Sequence, residues 1–422
     1  MTSPDLRRPS LRRPSPGRPS LRRPRPKRLL AIASLLLAWQ TPSFAGDSDE
    51  FDIAVGENAR AAATSTLNAI VWEADDADET GVFGRLYDNA SQPLSEIFAV
   101  NTETAEDQDE PDVAWLAGGD FAVVWTHDLS TETAIEARLF AATGAALGKP
   151  FRIDESPLDA ETPRAAADAL GRFAVVWGGG GIYHRLVSST GVLLGAELEV
   201  TASTLASSPA IAIAGDGEQL VVWEEQGEIR ARRLDAMGQP LGAEILVNVA
   251  GAGDRSDPTV TSTADGAFVV AWRSEGQDGS AGGIFARRVE VGPEGPEWQL
   301  NETTAGEQEQ PSLGSDARGQ ILATWETEGA VDGDGRAVVG RFLRPTGRPI
   351  CPDTLINVQS IGEQRLPAVA GAAADFLVVW QSEPTVPVPG VLPELSARRI
   401  ASPVFIDDFE SGDLGAWSVV VP

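Results

Sequence analysis

The sequence is poor in the residues on which most catalytic and metal chemistry depends. Its 422 residues include one cysteine, Cys351, and two histidines, His127 and His184. A single cysteine excludes an intrachain disulfide framework and any cysteine-rich metal site. Two histidines argue against a histidine-ligated zinc centre and against a Ser-His-Asp triad. Positive charge is also scarce after the first 45 residues. There Lys149 is the only lysine, and 23 basic residues face 61 acidic ones, a net charge of −38. Such a surface repels nucleic acid and anionic lipid, and suits cations, basic partners or solubility in a salty exterior. No segment of ten or more residues shows a helical hydrophobic period. Hydrophobic residues make up 42% of the chain, which is enough for a packed core and excludes global disorder.

The first 45 residues read as a separate object. Residues 1–28 hold ten Lys/Arg and one acid, Asp5, and RPSLRRP occurs twice, beginning at Arg8 and at Arg18. Leu29 to Trp39 is an apolar run of 11 residues. It is too short to span a membrane, which needs about 20 residues. Ser43 and Ala45 then supply the small −3 and −1 residues of a cleavage site. The pattern predicts a secretory signal over 1–45 with a long basic n-region. The alternative is an uncleaved anchor or a basic tail. Pro24 and Pro26 weaken a twin-arginine reading of Arg22-Arg23, and no cysteine follows to carry a lipid. The mature chain has no predicted membrane span.

An internal repeat organises the rest. Trp72, Trp125, Trp177, Trp223, Trp272, Trp325 and Trp380 each close a short apolar run such as FAVVW or FLVVW. Pro111, Pro163, Pro209, Pro258 and Pro311 lie 14 residues before their tryptophan, and Pro367 lies 13 before. An Arg followed by an apolar residue comes after each tryptophan, from Arg85-Leu86 to Arg399-Ile400. An Asn-like end such as Val100-Asn101 or Ile356-Asn357 follows in six units. Each unit breaks into four short Val/Ile/Phe/Trp stretches bounded by Gly/Asp turns, which is strand chemistry. In the second unit these are 111–116, 121–126, 135–140 and 150–153.

Four strands in about 50 residues, repeated radially, predict an all-β chain: a seven-bladed β-propeller of four-stranded blades over 51–402. A β-solenoid is the alternative, but it would need shorter repeats and capping ends. The last unit lacks a clear fourth strand, whereas 51–55 looks like an orphan one. The N-terminal strand is therefore expected to complete the last blade and close the ring. Residues 403–422 form a C-terminal tail. Its segment DDFESGDLGAW resembles one at the end of many exported bacterial proteins; it reads as a sorting tail, the first strand of a truncated sandwich or a disordered end.

The units resemble a repeat common in secreted bacterial proteins of unassigned function. That repeat runs FVVxW, a Gly/Asp-rich loop, GIFARR, LG-E-VN and then a Gly-Glu-Gln-x-x-Pro loop. Phe268–Trp272, Gly276–Gly283, Ile284–Arg288 and Gly306–Pro311 match it best. The resemblance covers about 350 residues and implies a fold and an exterior location, secreted or on the cell surface with the periplasm as a further option. It brings no catalytic residue and no cofactor.

The repeated tryptophan is expected to pack between blades, with a sugar-stacking stripe as the sharper alternative. The repeated arginine is expected to be a structural hydrogen bonder, with an anion-binding ring as the alternative. The loops entering the first strand and those joining strands two and three share one face. They carry about 34 acids against four bases, Arg255, Arg273, Arg336 and Arg365. Solvated loops are the bland reading of that face. A calcium site is the sharper one, because hard cations take carboxylate oxygens. Asp332 and Asp334, and Asp75, Asp76 and Asp78, are its candidate ligands, although neither loop has an EF-hand pattern. The expected function is a secreted non-enzymatic binding, adhesion or scaffold propeller whose ligand is an extracellular glycan, protein or cation. The competing expectation is a glycan-acting hydrolase or lyase with paired carboxylates.

Overall fold

Val, Ile, Phe and Trp placed between Gly/Asp turns build strands throughout. The computed structural model describes residues 50–402, except 77, 156–158, 250, 252, 330, 385 and 387–390. The chain divides into two units, Met1–Ala45 and Gly46–Pro422, and every described residue belongs to the second. The expected leader over 1–45 and the tail over 403–422 lie outside the described residues.

The strands follow one another with no helix among the described residues. After β1 (Phe51–Val55) comes blade 1: β2 (Glu57–Ala63), β3 (Leu67–Asp75), β4 (Thr80–Asp88) and β5 (Phe98–Ala99). Blade 2 holds β6 (Gln108–Trp115), β7 (Phe121–Asp128), β8 (Thr133–Phe140) and β9 (Phe151–Arg152). Blade 3 holds β10 (Glu161–Ala167), β11 (Phe173–Gly178), β12 (Ile182–Val187) and β13 (Leu193–Thr201). Blade 4 is β14 (Ala206–Ile213), β15 (Gln219–Glu225), β16 (Glu228–Leu234) and β17 (Ile245–Leu246). Blade 5 is β18 (Arg255–Ser262), β19 (Phe268–Glu275), β20 (Gly282–Val289) and β21 (Pro293–Gln299). Blade 6 is β22 (Gln308–Ser315), β23 (Ile321–Thr327), β24 (Ala337–Leu343) and β25 (Thr354–Leu355). Blade 7 takes β26 (Glu363–Gly371), β27 (Asp375–Glu383) and β28 (Glu394–Ala401), and its fourth strand is β1.

All pairings are antiparallel within a blade, and the first strands of successive blades adjoin one another in a closed circle around a central channel. The chain is a seven-bladed β-propeller. Closure is as expected: β1 pairs with β28, setting Phe51 opposite Ala397 and Val55 opposite Glu394. This covers an edge that would otherwise present unpaired backbone groups.

Seven apolar clusters fill the seven interfaces, each with one repeated tryptophan. Trp223, for instance, packs with Val176, Ile182 and Val200 of blade 3, and Trp380 with Leu322 and Ile356 of blade 6. All seven tryptophans are fully buried.

A second repeated contact ties blades together. Arg138 donates to the Val100 carbonyl at 2.8 Å, Arg185 to Ile153 at 3.0 Å and Arg287 to Val247 at 3.0 Å. Arg232, Arg341 and Arg398 do the same to Val200, Leu300 and Ile356. The arginine is thus a structural hydrogen bonder that reaches the fourth strand of the preceding blade. In blades 4, 5 and 7 the reaching residue stands one place before the arginine that the sequence pattern marks.

The same side chains also hold the chain that leads into the fourth strand: Ser95 and Gly148 accept from Arg85 and Arg138 before the two-residue β5 and β9, and Gly195 and Gly295 accept from Arg185 and Arg287 in the longer β13 and β21.

Candidate functional site

The channel mouth owes its geometry to a bulge at the start of every innermost strand. Asn58, Glu110, Thr162, Ser208, Asp257, Gln310 and Leu366 all take φ between 52° and 55°, in the left-handed region. Non-glycine residues rarely adopt that conformation. Six of them precede the repeated proline, which accounts for its near-constant offset. The ladder register breaks at each, as between Asp109 and Asp112 or Glu309 and Ser312.

The bulge turns a backbone N–H toward the preceding blade, where the residue after the tryptophan accepts it. Glu73 accepts from Glu110 at 2.5 Å, Glu224 from Asp257 at 3.3 Å and Glu326 from Leu366 at 3.0 Å. Gln381 accepts from Asn58 at 3.0 Å across the closure seam. Thr126 acts indirectly: its hydroxyl donates to Glu110, whose other contact is the Thr162 N–H at 2.6 Å. Gly178 and Arg273 occupy the remaining two positions, and neither can accept.

Blades 5 to 7 carry the densest charge at the mouth. Glu326 is almost fully buried and meets Arg336 Nη1 at 2.6 Å, with Arg365 Nε at 3.8 Å. Glu309 converges on the same Arg336 Nη1. Glu363 accepts the Arg336 backbone N–H at 3.1 Å, and Arg273 pairs with Glu307 at 2.8 Å. Burial pushes the Glu326 carboxyl up to about 7, against the Leu366 N–H and the two guanidiniums, while Glu309 adds to the rise. Burial likewise raises Glu73 and Asp257. A carboxyl that titrates near neutrality beside a second carboxylate is able to hold or pass a proton.

The five aspartates singled out for a cation belong to two different blades, Asp75 at the end of β3 and the other four on loops. Asp75 and Asp78 are exposed in blade 1, and Asp76 Oδ1 accepts the N–H groups of Asp78 and Glu79 at 2.9 and 3.2 Å. In blade 6 Asp332 Oδ2 accepts from Asn357 at 2.6 Å, and Asp334 Oδ2 from the Gly362 N–H at 3.2 Å. Loop hydrogen bonds therefore use oxygens of Asp76, Asp332 and Asp334. Among the described residues no three carboxylates, histidines or cysteines converge in a way that could hold a metal ion.

Both histidines are buried. His184 Nε2 bonds Gln219 Oε1 at 2.8 Å, and burial pulls its pKa down to about 4, so the ring is neutral. It lines an open recess of about 330 Å³ between blades 3 and 4, together with Leu186, Leu194, Leu198 and Met237. The Cys351 thiol is half-buried and takes the Phe342 N–H at 3.3 Å.

The Glu326, Glu309, Arg336 and Arg365 group was not singled out by its sequence pattern. One signal was available, because Glu326 directly follows a repeated tryptophan at a position that Glu73 and Glu224 also fill.

No family model and no curated protein matches the chain. Solved structures share its fold. A PL25 ulvan lyase bound to -[GlcA(1-4)Rha3S]- is 7% identical over 84% of this chain and 96% of that one, with a TM-score of 0.56. A fungal alcohol oxidase of the AA5 family, in complex with copper, is 11% identical over 85% and 76%, with a TM-score of 0.52. A protein of unknown function from Dyadobacter fermentans is 12% identical over 72% and 97%, with a TM-score of 0.50. At these identities the likeness is one of fold, which hosts many unrelated chemistries. Among the described residues no helix is long and apolar enough to cross a membrane.

Proposed function

We propose that the chain is an exported, non-enzymatic binding or surface-scaffold propeller that meets its partner through the acidic loop face. The disposition of charge on that face carries the reading. Its four guanidiniums are committed within the protein: Arg255 to the Gly251 and Gly253 carbonyls, Arg273 to Glu307, and Arg336 and Arg365 to Glu326 and its neighbours. Asp75, Asp78, Glu79, Glu103, Glu106, Glu328 and Asp334 stay exposed. Negative potential left unneutralised over a broad face draws in cationic partners and sets their approach. A basic protein segment or a divalent cation such as calcium has that chemistry. The leader-like segment and the resemblance to secreted bacterial repeats support an exterior location.

The test compares the full chain with a variant carrying Asn at Asp75, Asp76, Asp78, Asp332 and Asp334. Asparagine retains one acceptor oxygen at each position, and at Asp332, whose Oδ1 takes the Asp334 N–H, it also gives up the Oδ2 bond from Asn357. Association with a lysine-rich peptide is expected to slow severalfold in the variant and to lose part of its salt dependence. Equal rates and equal salt slopes would refute the reading.

One observation favours a second reading, a glycan-acting hydrolase or lyase. Glu326 and Glu309 share one guanidinium, and the Glu326 carboxyl lies near neutrality. A carboxyl that titrates near neutrality beside a second carboxyl is what glycoside cleavage uses. Bond cleavage in a polysaccharide that is lost in Glu326→Gln would favour this reading over the first.

A further inference from the structure

Three consecutive innermost strands carry a charged residue at one register. Arg60 on β2, Asp112 on β6 and Arg164 on β10 each stand two residues after the bulge and pair with Val71, Val124 and Val176 on the second strand. Across the ring the same register holds Ala210, Thr259, Ser312 and Ala368. At this register three adjacent strands carry charged side chains and the other four small uncharged ones, of which Ala210 and Ala368 pack into interblade clusters and Ser312 takes the Val369 N–H.

The two arginines have few partners. Arg60 Nη1 donates to the Ala59 carbonyl at 3.1 Å and Arg164 Nη1 to Pro163 at 2.7 Å. No ion pair within 4.0 Å joins either to a carboxylate among the described residues. The nearby acids are held elsewhere. Asp112 Oδ2 takes the Ala165 N–H at 2.8 Å, Glu73 takes Asn58 and the Glu110 N–H, and Glu110 takes Thr126 and the Thr162 N–H.

Arg60 is half-buried, so it keeps contact with water inside protein walls. Those walls, and then the charge of Arg164, pull its pKa down to about 10, against the attraction of Asp112, Glu73 and Glu110. The two cations therefore act on each other, and a bound anion would relieve both the lost hydration and the repulsion. A guanidinium presents planar paired donors that match an oxyanion.

We propose that the central channel holds an oxyanion between Arg60 and Arg164, against the Asp112 wall: sulfate, phosphate, or the sulfate or carboxylate group of a glycan. This site lies in the channel, apart from the acidic loops, and does not depend on what those loops bind.

Titration calorimetry of the full chain with sodium sulfate, at constant ionic strength set with sodium chloride, tests it. Saturable uptake of one sulfate per chain is expected. Arg60→Gln and Arg164→Gln should each weaken it at least tenfold, and Asp112→Asn should tighten it. Thr259→Glu keeps both arginines but places a carboxylate on the opposite wall, and should also weaken uptake. This variant carries the test if an arginine variant does not fold. A sulfated polysaccharide that displaces the sulfate assigns a glycan-borne group, and one that leaves it bound assigns the free ion. Absence of saturable uptake by the parent chain, or uptake unchanged in the arginine and Thr259 variants, overturns the proposal.

Discussion

Replacing Trp223 by alanine tests the packing that joins the blades. The indole lies between blades 3 and 4 among Val176, Ile182, Leu186, Val200 and Ile211, with no exposure, and its N–H reaches Glu225 Oε2 at 3.3 Å. A buried tryptophan removes roughly 150–250 Å² from water, worth about 4–6 kcal/mol at 25 cal/mol per Å². Retained Cβ area lowers that figure and the residual cavity raises it, so about 3–5 kcal/mol is expected. A chain of roughly 350 ordered residues has an unfolding entropy on the order of 0.7 kcal/mol/K, so the melting temperature should fall by about 4–7 °C. Guanidinium titration followed by far-ultraviolet circular dichroism should show a lower midpoint at an unchanged slope. A cost under about 1 kcal/mol, the range of an exposed site, would refute burial and leave a ligand-facing indole.

Deleting residues 46–56 removes β1 and bares the β28 edge, so the product should aggregate or melt far lower; a variant that melts like the parent would contradict ring closure. Glu326 should make stability fall as pH rises. Its folded pKa of about 7 lies above its ordinary value, so between about 4.5 and 7 the folded chain holds the extra proton. Glu326→Gln should gain stability relative to the parent between pH 5 and pH 8, by up to about 3 kcal/mol, and a difference that does not change with pH would show that the carboxyl ionises normally. Millimolar calcium should raise the melting temperature more than sodium chloride of equal ionic strength, and Asn at Asp332 and Asp334 should narrow that gap. Identical melts in the two salts would reduce the acidic face to a solvated surface.

The architecture was legible because one physical need recurs seven times. Every interface needs a large apolar wedge, so every unit shows its tryptophan. Every innermost strand needs a bulge, so six units show a proline at a fixed offset. The arginine was legible as a type but blurred in position, because Arg232-Arg233, Arg287-Arg288 and Arg398-Arg399 are doublets and it is the first member that reaches the Val200, Val247 or Ile356 carbonyl of the preceding blade. The charged sites were harder to read. Glu309, Glu326, Arg336 and Arg365 come from β22, β23, the loop before β24, and β26, so no local spacing brings them together. Arg60, Asp112 and Arg164 lie 52 residues apart in sequence. Only an alignment of the residues that follow the repeated proline, with the bulge at Asn58 as its counterpart in blade 1, places them at one level of the channel. The acidic loops advertise themselves by composition, yet composition does not say that Asp76 accepts hydrogen bonds within its loop and that Asp332 and Asp334 accept them from Asn357 and Gly362.

The most direct test of the functional account is to follow polysaccharide binding and polysaccharide cleavage in the same samples. The full chain is incubated with uronate-containing, sulfated and neutral polysaccharides, and with a lysine-rich peptide. Complex formation, new reducing ends and the absorbance of unsaturated uronate products are measured together. A non-enzymatic binding propeller predicts saturable association with the peptide or a glycan, sensitive to salt and to neutralisation of the loop aspartates, with no product above the no-protein control. Product that accumulates in proportion to protein and vanishes in Glu326→Gln would contradict it and make the channel mouth a catalytic centre.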